Sequence, residues 1–163
     1  MGCDIHLIAE RRTRDHWEVV RPPVIACWRC KPESVSPTCY WCKGIGAHRS
    51  RWYSDRNYAV FTILAGVRQR DDVTGIDEPR GLPADLSPLG RRLLTVDCDH
   101  HSESWLTLDE VFAYDWTQTI NNGMDPPFAL ASPCSAFLTR MRLLHATASR
   151  PASDVRIVFN FDN

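Results

Sequence analysis

Asp154-Val155-Arg156-Ile157-Val158-Phe159-Asn160-Phe161 alternates Val155, Ile157, Phe159 and Phe161 with Arg156, Val158 and Asn160. Successive side chains of an extended chain point to opposite faces of a sheet, so a period of two predicts a strand with one face in the core. Its β-branched and aromatic residues suit a pleated, half-buried surface. Cys3 to Glu10 reads the same way, with Cys3, Ile5 and Leu7 alternating against Asp4 and His6. Arg11 to Asp15 supplies a polar turn, and Trp17 to Val20 reads as the returning arm of a hairpin. The strand at 154–161 is expected to pair with the first one. The fold class is therefore read as α+β, a small and mostly antiparallel sheet formed by N- and C-terminal strands and covered by about three helices.

The helices are read from caps and stripes. Asp55 is placed to cap a helix from Arg56 to about Val67, whose Val60, Phe61, Ile63, Leu64 and Val67 make an apolar stripe facing the sheet. Gln69 to Leu86 is rich in Gly, Pro and Asp and reads as a long loop, after which Ser87-Pro88 opens a short helix into Leu94. Thr95 to Ser104 reads as a polar, histidine-bearing connection. Thr107 and Glu110 then form a capping box for a short helix from Leu108 to about Tyr114. Ser132-Pro133 starts the last helix, which carries Phe137, Met141, Leu143 and Leu144 and runs to about Ala148.

Cys27-Trp28-Arg29-Cys30 and Cys39-Tyr40-Trp41-Cys42 place four thiols in two CxxC pairs within sixteen residues. Two such turns facing each other complete the tetrahedral shell that Zn2+ accepts from thiolates, and a shell closed by protein ligands is structural. Two disulfides, a reduced loop without metal, and an iron-sulfur cluster are the other readings of the same four residues. Arg21-Pro22-Pro23 interrupts sheet pairing just before them, because proline donates no backbone hydrogen bond. Residues 22–51 are accordingly read as a zinc-ribbon-like segment inserted into a single domain spanning 1–163.

Composition narrows the setting. A net charge of -1 with 24% charged residues leaves no global footprint for nucleic acid or an acidic membrane, so any such contact must be local. No apolar run approaches the roughly 18 residues of a membrane span, and the first residues lack the pattern of a secretory signal. Seven cysteines, four of them in a metal pattern, suit a reducing compartment. Met1-Gly2-Cys3 is not read as a myristoylation signal, since His6 stands where Ser or Thr is required. A cytoplasmic protein without a membrane partner is expected, with homo-oligomerisation left open.

The chain resembles a group of small, mostly uncharacterised proteins encoded by bacteriophages and prophages. The resemblance lies in Met1-Gly2-Cys3-Asp4-Ile5-His6, Asp55-Arg56-Asn57-Tyr58, Leu64-Ala65-Gly66-Val67-Arg68, Glu78-Pro79-Arg80-Gly81-Leu82-Pro83, His101-Ser102-Glu103-Ser104-Trp105-Leu106-Thr107, Val155-Arg156-Ile157-Val158-Phe159 and Phe161-Asp162-Asn163. Members of that group usually lack a double CxxC after the first hairpin. The resemblance implies a phage-type accessory protein in a host bacterial cell and supplies no established activity.

Candidate chemistry divides three ways. Arg80 lies between prolines and beside Gly81, a guanidinium held ready for phosphate or carboxylate. With His6, Tyr58, Arg68, His101, Ser102, Ser104 and Trp105 it suggests a site for a phosphorylated, nucleotide-like small molecule. On that reading the protein sequesters a host immune signal such as a cyclic nucleotide or an ADP-ribose derivative. A second reading makes the zinc segment a nucleic-acid reader, with Lys43, His48, Arg49, Arg51 and Arg56 interleaved with Trp28, Tyr40, Trp41, Trp52 and Tyr53. The plainer view is that these aromatics cover a small metal core. A third reading is a metal-dependent hydrolase of a phosphorylated substrate, with Asp4, His6, Asp97, Asp99, His100 and His101 around a second ion. No nucleophile elbow, P-loop or dinucleotide glycine pattern occurs, so no catalytic residue is assigned and binding is expected ahead of catalysis.

Overall fold

A computed structural model of the chain describes residues 2–30, 33–68, 73–95, 99–120 and 128–162. In chain order the elements are β1 (Asp4–Arg12), β2 (Trp17–Val19), β3 (Val24–Ala26), β4 (Ala47–Arg49), α1 (Tyr58–Ala65), α2 (Pro88–Leu94), β5 (His101–Thr107), α3 (Leu108–Ala113), β6 (Thr119–Ile120), β7 (Phe128–Ala129), α4 (Ser135–Ala148) and β8 (Val155–Asp162). They divide into two compact units, Arg21–Arg51 and the remainder. Asp97 and the first residues of the long loop at Gln69 lie outside the described residues.

The larger unit is α+β. Its four strands run antiparallel in the order β2-β1-β8-β5, and β1 pairs with β8 along its length, from Asp4 opposite Asp162 to Arg11 opposite Val155. Ile5, Leu106, Ile157, Phe159 and Phe161 share one core cluster with Val60, Phe61 and Leu64 of α1, Leu108 and Val111 of α3, and Phe137, Met141 and Leu144 of α4. Phe61 meets Phe161 edge to face at 5.0 Å between centroids.

The fourth strand corrects the sequence reading, which took Thr95 to Ser104 for a connection. β5 begins at His101, and its register slips between His101, opposite Phe161, and Ser104, opposite Phe159. Three residues of β5 thus span two of β8, a bulge that Ser102 accommodates at φ +53°. The extra residue breaks the period of two, which hides the strand from pattern reading. It also keeps His101 and Ser104 on one face and turns Trp105 to the other.

The second face of β8, that of Arg156, Val158 and Asn160, is also covered, although the alternation predicted one face in the core. Every residue from Val155 to Phe161 is buried. Val158 packs with Ile8, Leu82, Leu86, Leu94 and Trp105. Beside it Arg156, 2% exposed, lies opposite Glu10, 0% exposed. Arg156 Nε and Nη2 donate to Glu10 Oε2 at 3.0 and 2.7 Å, and Nη1 donates to Asp85 Oδ1 at 2.7 Å. The guanidinium stacks over Trp17 at 4.0 Å, and Glu10 Oε1 accepts the Ser87 N–H that opens α2. A buried charge is tolerated only when paired and hydrogen-bonded, and this one has both.

Helix ends differ slightly from expectation. Asn57, not Asp55, caps α1, its side chain accepting from the Ala59 and Val60 N–H groups while its amide donates to the Pro133 carbonyl. Gly66 closes the helix at φ 63°, a conformation that costs glycine little. The last helix starts at Ser135, two to three residues after the Ser132-Pro133 signal. Thr107 and Glu110 form both bonds of their capping box.

Candidate functional site

Within the Arg21–Arg51 unit, Cys27, Cys30, Cys39 and Cys42 bring four Sγ atoms within 4.8 Å of one another. Cys27 Sγ lies 3.9 Å from Cys39 Sγ, and Cys30 Sγ lies 3.7 Å from Cys42 Sγ. A disulfide needs about 2.05 Å. Tetrahedral coordination with metal–sulfur bonds of about 2.3 Å requires sulfur–sulfur edges of about 3.8 Å, so the thiols fit a metal and not a crosslink.

Backbone geometry sets this spacing. The Lys43 N–H donates to the Cys39 carbonyl at 2.8 Å and the Ile45 N–H to the Cys42 carbonyl at 3.0 Å, folding the second CxxC into a tight turn. Gly44 sits at φ 82°, where an added Cβ would lie 3.0 Å from the Pro37 carbonyl oxygen. The Cys27 N–H donates to the Gly46 carbonyl, joining the two turns, and β3 pairs with β4 at the base. The backbone N–H groups of Cys42 and then Trp41, directed at Cys39, hold its thiol down to about 6. Against a lowering backbone bond from Ser36, burial and hydrogen bonds with the other three thiols push Cys30 up to about 12, so the shared protons concentrate away from Cys39.

The aromatics do not cover the metal core. Trp28, Tyr40 and Trp41 are 66%, 74% and 53% exposed. Trp28 and Trp41 are 5.7 Å apart between centroids and Tyr40 and Trp41 5.5 Å. Arg29 lies over the Trp28 ring at 5.6 Å and Lys43 over Tyr40 at 4.3 Å, each a cation–π contact. Trp52 and Tyr53, grouped with these rings in the sequence reading, instead belong to the core of the larger unit, where Trp52 Nε1 donates to the Val20 carbonyl.

At one end of the sheet, residues distant in sequence meet. His6 Nε2 is 2.9 Å from Asp162 Oδ2, and Asp162 Oδ1 accepts the Asp4 N–H at 3.1 Å. Its bond to His6 holds the Asp162 carboxyl below the usual carboxylate range. The His6 ring lies 5.0 Å from His100, and Arg56 forks onto the Asp4 carboxylate at 2.8 and 2.7 Å. Across the sheet, His101 stacks on Phe161 at 6.1 Å and pairs its Nδ1 with Ser102 Oγ at 3.0 Å. Tyr58, on α1, has the Arg68 guanidinium over its ring at 5.8 Å.

Arg80, Ser104 and Trp105 form a separate, structural group. Arg80 donates to both Glu110 oxygens, to Asp77 and to the Trp105 carbonyl, and its guanidinium lies over the Trp105 ring at 4.9 Å. Ser104 is buried and its Oγ accepts the Arg80 N–H. With its donors occupied by protein acceptors, Arg80 braces the loop against α3 and presents no ready fork to a ligand. Asp162 and the buried Asn160 were not singled out from sequence. Only the pairing of β1, β8 and β5 puts them beside the histidines. Comparison with protein-family models, with curated proteins and with solved structures finds no match to this chain.

Proposed function

We propose that the protein binds single-stranded nucleic acid through its Arg21–Arg51 unit, which a structural Zn2+ holds folded. One observation carries this reading. Three exposed aromatic rings, with Trp41 in contact with both Trp28 and Tyr40 and each of the latter two carrying a cation, stand on a unit with six basic residues and one acidic one in a chain whose net charge is -1. Bases of any sequence stack on such rings, and the cations meet the backbone phosphates. Zinc is favoured because four thiolates at this spacing close a tetrahedral shell, leaving no position for chemistry. The metal then shapes the surface and takes no part in a reaction.

Titration of the zinc-loaded chain with a short oligothymidylate, followed by tryptophan fluorescence, tests this. Quenching is expected, with log affinity falling against log salt by about 0.7 per phosphate contacted. Trp28→Ala or Tyr40→Ala is expected to weaken binding about tenfold at unchanged zinc content, since a base stack is worth about 1–3 kcal/mol. An absence of quenching at low salt would refute the reading. A second reading, capture of a nucleotide-derived small molecule such as a cyclic nucleotide, draws support from the half-exposed Tyr58 ring beside Arg68. It is separated by a cyclic-nucleotide titration in which Tyr58→Ala, and not Trp28→Ala, weakens binding.

A further inference from the structure

We infer that His6, His100, Asp162 and Asn160 form a second metal site, for a first-row divalent cation taking nitrogen and oxygen ligands. Pairing places three of them on one face at one end of the sheet, His6 opposite Asn160 and Asp162 two residues further along β8, opposite Asp4. The fourth, His100, comes just before β5, and its ring lies 5.0 Å from that of His6. Two buried atoms there, His100 Nε2 and Asn160 Oδ1, have no hydrogen-bond partner among the described residues. Asn160 is 2% exposed, and its Nδ2 donates to the Leu94 carbonyl at 3.1 Å. That bond fixes the amide orientation, because a flipped amide would set two oxygens against each other. The lone pairs of Oδ1 therefore point into the protein without a donor, which is costly to leave unmet.

The neighbours supply what such an acceptor lacks. His6 and Asp162 hold each other at 2.9 Å, and the His100 ring is 5.0 Å from His6. A cation replaces the His6–Asp162 hydrogen bond with two coordinate bonds, and side-chain rotation must bring His100 Nε2 and Asn160 Oδ1 to it, because the ligand atoms of His6, His100 and Asp162 are not all within 4.8 Å of one another in this structure. Two imidazoles, a carboxylate and an amide oxygen suit Co2+, Ni2+, Zn2+ or Mn2+. Supporting partners are in place: the Asp4 N–H orients Asp162 and the Leu94 carbonyl orients Asn160. His6 and Asp162 side chains are 31% and 34% exposed, so an ion can enter and keep a solvent position. His101, expected from sequence to join such a set, faces the opposite side and stacks on Phe161. The inference is independent of the nucleic-acid reading, since no residue is shared.

Adding Co2+ to tag-free protein already carrying one zinc per chain provides the test, with absorption spectroscopy and calorimetry as readouts. One further equivalent is expected to bind, giving visible bands without the near-ultraviolet charge transfer that thiolate ligands produce. His100→Ala and the isosteric Asp162→Asn are each expected to weaken it tenfold or more, while His101→Ala leaves it unchanged. Circular dichroism of the variants separates loss of the site from loss of the fold. Absence of a second equivalent, or one that survives both His100→Ala and Asp162→Asn in folded protein, overturns the inference.

Discussion

Replacing Arg156 with Met should be among the most damaging single changes to the larger unit. The guanidinium makes two bonds to Glu10 and two to Asp85, one of the latter to its backbone carbonyl. Methionine keeps much of the volume and removes all four. Asp85, with its side chain 64% exposed, can return to water. Glu10 cannot: at 0% exposure its carboxylate would keep only the Ser87 N–H among the bonds described. Leaving one partner of a buried pair uncompensated costs about 3–5 kcal/mol, which for a chain of this length lowers Tm by about 10 °C. Urea unfolding followed by circular dichroism measures the loss. The companion variant separates charge from packing, because Glu10→Gln added to Arg156→Met removes the stranded charge and should recover stability relative to Arg156→Met alone. A loss below about 1 kcal/mol for Arg156→Met, or additive effects of the two changes, would refute the reasoning.

Three other outcomes are expected. Asp85 is held below the usual carboxylate range by Arg156 and, secondarily, by Trp17, so its contribution is present above about pH 3.9 and is lost as pH falls through the lowered value. Urea midpoints between pH 6 and 2 should decline less steeply in Asp85→Asn, with a small difference that salt reduces because the side chain is largely exposed. Asn57→Ala should cost about 1 kcal/mol by removing the α1 cap, and Asn57→Asp should cost less in the same melts, keeping the cap acceptor while losing the donor to the Pro133 carbonyl. Chelating the metal should raise hydrogen exchange across residues 21–51 and leave β1 and β8 protected, since the latter belong to a core without cysteine ligands. Loss of protection in β8 on chelation would contradict that division.

Several features were legible in the residue order because their causes are local. The CxxC spacing, the Thr107–Glu110 capping box, Ser87-Pro88 at the start of α2 and the alternation of β1 and β8 each depend on neighbours a few positions apart. β5 escaped because one extra residue at Ser102 shifts its period. The burial of Arg156 escaped because alternation reports one apolar face and cannot show that α2 and Leu86 cover the other. Arg80 looked free because Glu110, which holds it, lies thirty residues away.

By itself the sequence determined the α+β class, the antiparallel union of its two terminal strands and the four-thiol turn pair, since periodicity and short-range spacing suffice for these. Tertiary structure alone decided which polar side chains are bound up inside the fold and which meet at its end. Sheet pairing sets His6, Asn160 and Asp162 side by side across more than 150 residues of chain, and burial decides that Arg80 and Arg156 are braces. Long-range pairing and desolvation are properties of the packed chain, and no local pattern encodes them.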